Sequence, residues 1–379
     1  MTRLYSYLTV LIFWLVSTAA FAQSQPLAED LAPEDDRGFI AGLLEDALGG
    51  EGRVVRVEGF EGALSKTATV QRMTIADGDG VWFTLQEVRL RWNRAALLKG
   101  RIDIEQLSAA AMILERRPKP DENALPSAEA QGFALPKLPV SIAVESMEIE
   151  RILIGEPILG ERAKLRLDAT AQLANGSGSV ALSAARIDGK EGRFVIDASF
   201  DAGTNMAALK IDLTEAAGGI AARSLNLPGR PDLKLQVSGQ GNLDNLLTEI
   251  MLETDGVERL SGKVVLQGSS EAGRDFDLNL TGDLTALLPS EYHAFFGEAS
   301  RLTARGARSR NGAVELSRLE LRTKALSVQG SAALDSENVP LRFALVGDIS
   351  PTSGGSVVLP VGNGDITISQ AGLRIDYDA

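Results

Sequence analysis

Apolar and polar residues alternate with a period of two along most of this chain. Gln86, Val88, Leu90 and Trp92 share one side of a run whose other side is Leu85, Glu87, Arg89 and Arg91. Ile102 and Ile104 alternate with Arg101, Asp103 and Glu105. The pattern resumes in Leu165-Leu167-Ala169 and in Phe194-Ile196-Ala198-Phe200, with Asp197 and Ser199 opposite. It returns in Leu233-Leu235-Val237, Phe276-Leu278-Leu280, Leu341-Phe343-Leu345 and Leu373-Ile375-Tyr377. Successive side chains on a strand point to opposite faces. Each run therefore predicts a strand with one apolar and one wetted face, as in an antiparallel sheet. Asp77-Gly78-Asp79-Gly80 and Lys99-Gly100 mark turns, and Ser238-Gly239, Gln267-Gly268, Thr281-Gly282, Gln329-Gly330 and Val346-Gly347 read as glycine turns closing strands. The repeating unit is a strand ended by such a turn, with no fixed period.

Helical spacing is confined to a few places. Phe39, Ile40, Leu43, Leu44, Ala47 and Leu48 predict a short amphipathic helix, capped by Asp35 or Asp36 and ended by Gly49-Gly50. Arg94 to Leu98 reads as a short helical stretch. Leu284 through Phe296 reads as one internal helix with Pro289 in its first turn. At the N-terminus, Arg3, the apolar run Leu8 to Val16 and Ala20-Phe21-Ala22 before Gln23 have the layout of a secretory signal peptide. The run is short for a span of ~20 residues; an uncleaved anchor is the other reading. The expected organisation is a signal peptide at 1–22, a leader and amphipathic helix at 23–50, an N-terminal β unit at 51–117, a linker with five prolines at 118–139 and a repetitive β-sheet groove at 140–379. The pattern is still running at Ala379, which reads as a portion of a longer protein.

Composition narrows the chemistry. The 379 residues carry 38 Lys and Arg against 51 Asp and Glu, a net charge of −13, the wrong sign for a phosphate-binding surface, so no nucleic-acid partner is expected. There is no Cys and one His, His293, which excludes thiolate chemistry and multi-His metal sites. An exported chain without Cys points to the bacterial periplasm or cell envelope. Asp77-Gly-Asp79-Gly lacks the further ligands of a calcium loop and reads as a hairpin turn. No nucleophile elbow, P-loop or dinucleotide fingerprint occurs in context, and no pair of acids stands out for glycoside hydrolysis. The expectation is a protein that is not an enzyme, with no catalytic residues, cofactor or metal.

What remains is the long apolar face. A β-sandwich would bury it against a second sheet. An outer-membrane barrel would turn it to lipid between aromatic girdles, which 5% aromatic residues build poorly. A curled sheet would leave it open as a groove for acyl chains, at roughly 0.8 kcal/mol per buried CH₂. Alternation alone leaves the sandwich and the groove equally supported.

The stretch Gly59 to Pro118, GFEGALSKTATVQRMTIADGDGVWFTLQEVRLRWNRAALLKGRIDIEQLSAAAMILERRP, carries a G-x-x-G-x-L turn, an (I/L)-x-D-x-x-G-x-W turn, a strand ending Arg91-Trp92, the Ala96-Leu97-Leu98-Lys99-Gly100 step and a strand ending Glu105-Gln106-Leu107. In this order the motifs resemble the N-terminal region of the TamB family, the inner-membrane-linked component of the translocation and assembly module, in the wider AsmA-like group. Leu135-Pro136-Lys137-Leu138-Pro139-Val140, Gly155-Glu156-Pro157-Ile158-Leu159-Gly160 and Gly282 to Gly297 (GDLTALLPSEYHAFFG) are similar to that family as well. The resemblance implies a taco-like, mainly β fold whose open apolar groove conducts phospholipid between the inner and outer membranes, as in bridge-like lipid transfer proteins. It implies a role in outer-membrane protein and autotransporter assembly, with an assembly barrel of the Omp85 class engaged through a C-terminal region outside this sequence. It also implies an inner-membrane partner, although Ala20-Phe21-Ala22 reads as cleavable rather than as a permanent anchor. The expected groove lining is Val88, Leu90, Ile102, Ile104, Leu165, Leu167, Phe194, Ile196, Leu233, Leu235, Phe276, Leu278, Leu341, Phe343, Leu373 and Ile375, subject to strand register. The alternatives are a closed, non-lipid β-scaffold for assembly of secreted β-proteins and a carbohydrate-active enzyme.

Overall fold

The computed structural model describes residues 53–119 and 141–378, apart from 63–64, 98, 271–272, 310, 337–338, 352–354 and 361–365. The expected signal peptide, the amphipathic helix and nearly all of the linker lie outside the described residues. The described chain is mainly β and mostly antiparallel. It divides into two compact units, 53–119 with 141–176, and 177–378.

The first unit has seven strands: β1 (Val54–Glu58), β2 (Thr67–Asp77), β3 (Gly80–Asn93), β4 (Arg101–Ala109), β5 (Ala111–Leu114), β6 (Ser141–Ile154) and β7 (Ala163–Ala174), with short helices α1 (Arg94–Leu97) and α2 (Glu156–Leu159). β1, β2 and β3 pair in antiparallel order, and β3 runs beside both β4 and β5. β6 lies parallel to β4 and β5, a departure from the antiparallel expectation. A parallel pair needs a crossover of about a dozen residues or more, and the chain between Leu114 and Ser141 supplies it. With this pairing β6 and β7 belong to the first unit.

Bulges preserve the apolar face here. Ile102, Ile104, Leu107, Ala109, Met112 and Leu114 stand beside Ile142, Val144, Met147, Ile149, Ile152 and Ile154. Those in turn face Leu173, Ala171, Ala169, Leu167, Leu165 and Ala163. Twice in β6 the apolar step is three residues, because an extra residue restores the facing that strict alternation would lose. The turn Asp77-Gly78-Asp79-Gly80 joins β2 to β3. Arg116 donates to both Asp77 carboxylate oxygens, at 2.9 and 2.5 Å, and the Lys119 N–H donates at 2.9 Å. These bonds, Arg116 first, hold the Asp77 carboxyl far below its ordinary range and fasten the chain leaving β5.

The second unit is a twelve-strand antiparallel sheet in chain order: β8 (Ser177–Arg186), β9 (Gly192–Asp201), β10 (Met206–Glu215), β11 (Leu233–Asn242), β12 (Asn245–Thr254), β13 (Val257–Ser270), β14 (Gly273–Gly282), β15 (Ser300–Ser309), β16 (Val314–Arg322), β17 (Leu326–Leu334), β18 (Pro340–Ile349) and β21 (Ala371–Asp378). β19 (Val357–Val358) and β20 (Thr367–Ile368) form a separate ribbon, and the connections hold α3 (Ile220–Ser224) and α4 (His293–Phe296).

Two expectations are corrected. The stretch Leu284–Phe296 is not one helix but 3-10 turns at Thr285–Leu287 and Ser290–Tyr292 followed by α4. Leu288 is extended (φ −127°, ψ 153°), because the ring of Pro289 disfavours a helical residue before it. The glycines of Ser238-Gly239, Gln329-Gly330 and Val346-Gly347 are not turns either. They lie inside β11, β17 and β18, and Gly282 is the last residue of β14. A Cβ on Gly330 would lie 2.0 Å from the Ala344 carbonyl oxygen, and one on Gly262 would lie 2.1 Å from that of Asn279. The neighbouring backbone closes up on this face because no side chain is there. Gly239, Gly262 and Gly282 on β11, β13 and β14 match Gly306, Gly330 and Gly347 on β15, β17 and β18. The four-strand unit thus recurs, with strands after long connections beginning at Ala163, Leu233, Ser300 and Ala371, intervals of about 70 residues.

Candidate functional site

Residues paired across adjacent strands project to the same face, so the register traces the second unit's apolar surface. One row is Leu182, Ile196, Ile211, Val237, Ile250, Gly262, Leu280, Leu302, Leu321, Val328, Gly347 and Leu373. The next is Val180, Ala198, Leu209, Gly239, Thr248, Val264, Leu278, Ala304, Leu319, Gly330, Leu345 and Ile375. A third is Leu266, Phe276, Gly306, Leu316, Ala332, Phe343 and Tyr377. A single Thr is the only polar side chain in the first two rows. Most of these side chains are part-exposed; Ile196, Ala304 and Val328 are buried, and Ile375 is 39% exposed. The largest side chains fully buried among the described residues are Ile75 and Thr254. In a sandwich, by contrast, the inner faces of two sheets interdigitate and bury each other.

The opposite face is charged. Arg305 pairs with Asp277, Lys263 with Glu249 and Lys234 with Glu253, and the Gln236 amide donates to Asp212. The hydrogen bond from Gln236, with Lys210 and Lys234 nearby, holds the Asp212 carboxyl below its ordinary range. These are solvated pairs that contribute little individually.

The sixteen expected residues fall as follows. Val88 and Leu90 share a face with Trp92; Leu90 stands opposite Leu107, and Trp92 opposite Ile104 on the strand that carries Ile102. Leu165 and Leu167 lie opposite Ile152 and Ile149 on the continuation of that face. In the second unit, Phe194, Ile196, Leu235, Phe276, Leu278, Phe343, Leu373 and Ile375 occupy one face. Leu233 is on that face but 2% exposed, sealed with Ala222 and Leu227 beneath the segment bearing α3. Leu341 leaves the row: it is the extra residue of a bulge between the Ala333–Arg342 and Leu334–Pro340 pairs, and is 45% exposed. The expected lining omits β8, β10, β12, β13, β15, β16 and β17 of this unit altogether. Ile211, Ile250, Val264, Leu302 and Leu319 carry the same alternation there and were legible by it.

His293 is used locally: its Nε2 lies 3.0 Å from the Leu288 carbonyl oxygen. Among the described residues, no three acid or histidine side chains gather to hold a metal ion, and no helix is long and apolar enough to cross a membrane. Comparisons with known protein families, with curated proteins and with solved structures return no match.

Proposed function

We propose that this chain is a TamB-like lipid conduit of the bacterial cell envelope, exported by its N-terminal segment. It conducts phospholipid passively along an apolar β-groove between inner and outer membranes and supports outer-membrane protein assembly. The observation that carries this reading is the apolar face, mostly part-exposed, that runs over twelve strands of the second unit. Exposed apolar surface of this extent marks a binding site on soluble domains. Aliphatic residues dominate it, which suits flexible acyl tails. A ~16-carbon tail gains on the order of 10 kcal/mol there before ordering costs. The motifs of Gly59–Pro118 and Gly282–Gly297 support the same family. An assembly barrel of the Omp85 class is the protein partner this reading implies. Tails slide along the face while headgroups stay in water, so no catalytic group takes part.

The test is lipid carriage. The exported chain, purified without detergent, is expected to bring several phospholipids per molecule, counted by mass spectrometry. Leu278→Asp, in the middle of the apolar face, should cut that number several-fold. Asn279→Asp, on the charged face beside it, should leave it unchanged. A folded, lipid-free wild-type chain would transfer the weight to a closed β-scaffold.

A further inference from the structure

The two rims of the second unit's sheet, formed by opposite ends of its strands, are built differently. At one rim the long connections 216–232, 283–299 and 350–370 emerge, each four sheet strands after the last and alternating with the short turns 187–191, 255–256 and 323–325. Their described parts fold back over the apolar face. Ala222 and Leu227 pack on Leu233, with Leu213, Leu235, Leu252 and Leu287 around them. Phe295 and Val357 pack on Ala325 and Ile349, with Phe296, Leu326 and Ile368 around them. Leu287 comes from the second connection and packs with the first. Phe295, also from the second, packs with Val357 from the third. The three therefore make one roof. Polar bonds fasten it: the Ala221 N–H donates to Glu215 Oε2 at 2.6 Å, and the Lys324 and Ala325 N–H groups donate to the carbonyls of Phe296 and Phe295, both at 3.0 Å.

The other rim has only short connections, 202–205, 243–244, 271–272, 310–313 and 335–339. Of their described residues, only Leu243 and Gly312 are buried. The polar ones satisfy the turns themselves: the Thr204 N–H donates to Asp201 at 2.7 Å, and the Ala313 N–H donates to the Asn311 side-chain oxygen at 3.2 Å. Beside this rim the floor carries Phe276, Phe343 and Tyr377. Tyr377 is 45% exposed and stacks on Phe343 with ring centroids 5.1 Å apart. Tyrosine, apolar in body and polar at its tip, suits the level where tails give way to headgroups.

We propose that the headgroups of bound phospholipids project from the turn rim alone, with tails lying across the floor and ending under the roof. An amphipathic ligand needs an apolar bed with water at one edge. Three long connections cover the apolar bed at the roofed rim, whereas at the turn rim no long connection covers it and both are offered. The inference rests on the conduit reading above and adds the orientation of the lipid within it.

The chain has no Cys, so single-cysteine variants carry one fluorophore each. Asn311→Cys and Thr204→Cys label the turn rim, Ser224→Cys labels α3 in the roof, Ser331→Cys labels the charged face, and Leu278→Cys labels the floor. The full chain is loaded from vesicles of phosphatidylethanolamine and phosphatidylglycerol doped with phospholipid bearing a nitroxide on its headgroup or on its tail. The headgroup nitroxide is expected to quench the two turn-rim reporters several-fold more than those at Ser224→Cys and Ser331→Cys. The tail nitroxide should quench Leu278→Cys most. Equal or stronger headgroup quenching at Ser224→Cys, with the Leu278→Cys reporter still quenched by the tail probe, overturns the orientation and leaves the conduit standing. No quenching at Leu278→Cys and no retained lipid overturns both.

Discussion

The two rims of the second unit belong to the same strands, yet one is sealed and the other is bare. At the sealed rim, connections long enough to turn back place Phe295 and Ala222 at 2% and 0% exposure. At the bare rim, connections of a few residues cannot return over the sheet, and the apolar floor stays part-exposed. Burial stabilises by roughly 25 cal/mol per Å² of apolar surface. The sealed rim therefore carries a disproportionate share of the unit's stability. The bare rim forgoes that gain and keeps apolar surface available to a ligand. Length and apolarity of the connections, more than the strands themselves, decide where this sheet is core and where it is surface.

The comparison breaks most readily at the roof. Phe295→Ala removes a buried ring and should cost about 3–5 kcal/mol in denaturant unfolding. Phe276→Ala, on the bare side, should cost about 1 kcal/mol. Equal losses would erase the distinction between the rims. Between the two rims, Gly262→Ala forces a methyl toward the Asn279 carbonyl oxygen 2.1 Å away, and should destabilise by about 1–3 kcal/mol. Gly203→Ala, in the turn between β9 and β10, should leave stability within about 0.5 kcal/mol.

A smaller effect is expected from acid. At the roofed rim, burial pushes the Asp283 carboxyl up. The Thr285 N–H and hydroxyl, with Arg259, outweigh that, and the net shift is downward. A depressed carboxyl stabilises the fold above its unfolded value of about 4, and the contribution fades as pH falls through the folded value. Stability measured from neutral pH downward should drop less steeply in Asp283→Asn than in the wild type. The smallest effect belongs to the bare rim. Asn311→Ala should change stability by no more than about 0.5 kcal/mol, and a loss above 1 kcal/mol would mean that rim is braced after all.

Particular residues show how much could be read in advance. Phe194-Ile196-Ala198 and Phe276-Leu278-Leu280 alternate strictly, and period two has one structural meaning, a strand with an apolar face. Val144, Met147, Ile149 and Ile152 do not alternate strictly. Their common facing rests on bulges seen only once β6 is paired with β7. Leu341 fits its row by count and misses it in space for the same reason. Gly330 and Gly347 illustrate a real ambiguity, because glycine marks a turn or a close backbone approach equally well. The carbonyl that excludes a side chain at Gly330 belongs to Ala344, on the neighbouring strand. The roof is half legible: the sequence shows its apolar residues Phe295 and Phe296, but Pro289 breaks the single helix that their spacing predicts.

By itself, the sequence determined that this is a β protein whose strands each carry one apolar face. Side-chain alternation is a local property, written residue by residue. It also determined that chemistry resting on cysteine or on several histidines is out of reach. Tertiary structure alone decided which strands are neighbours, that β6 runs parallel to β4, and that glycines repeated in two four-strand units meet the backbone of adjacent strands. It also decided that long connections roof one rim and leave the other bare. Each of these depends on pairing between residues far apart in the chain. Register sets that pairing, and a slip of one residue would exchange the two faces of a strand.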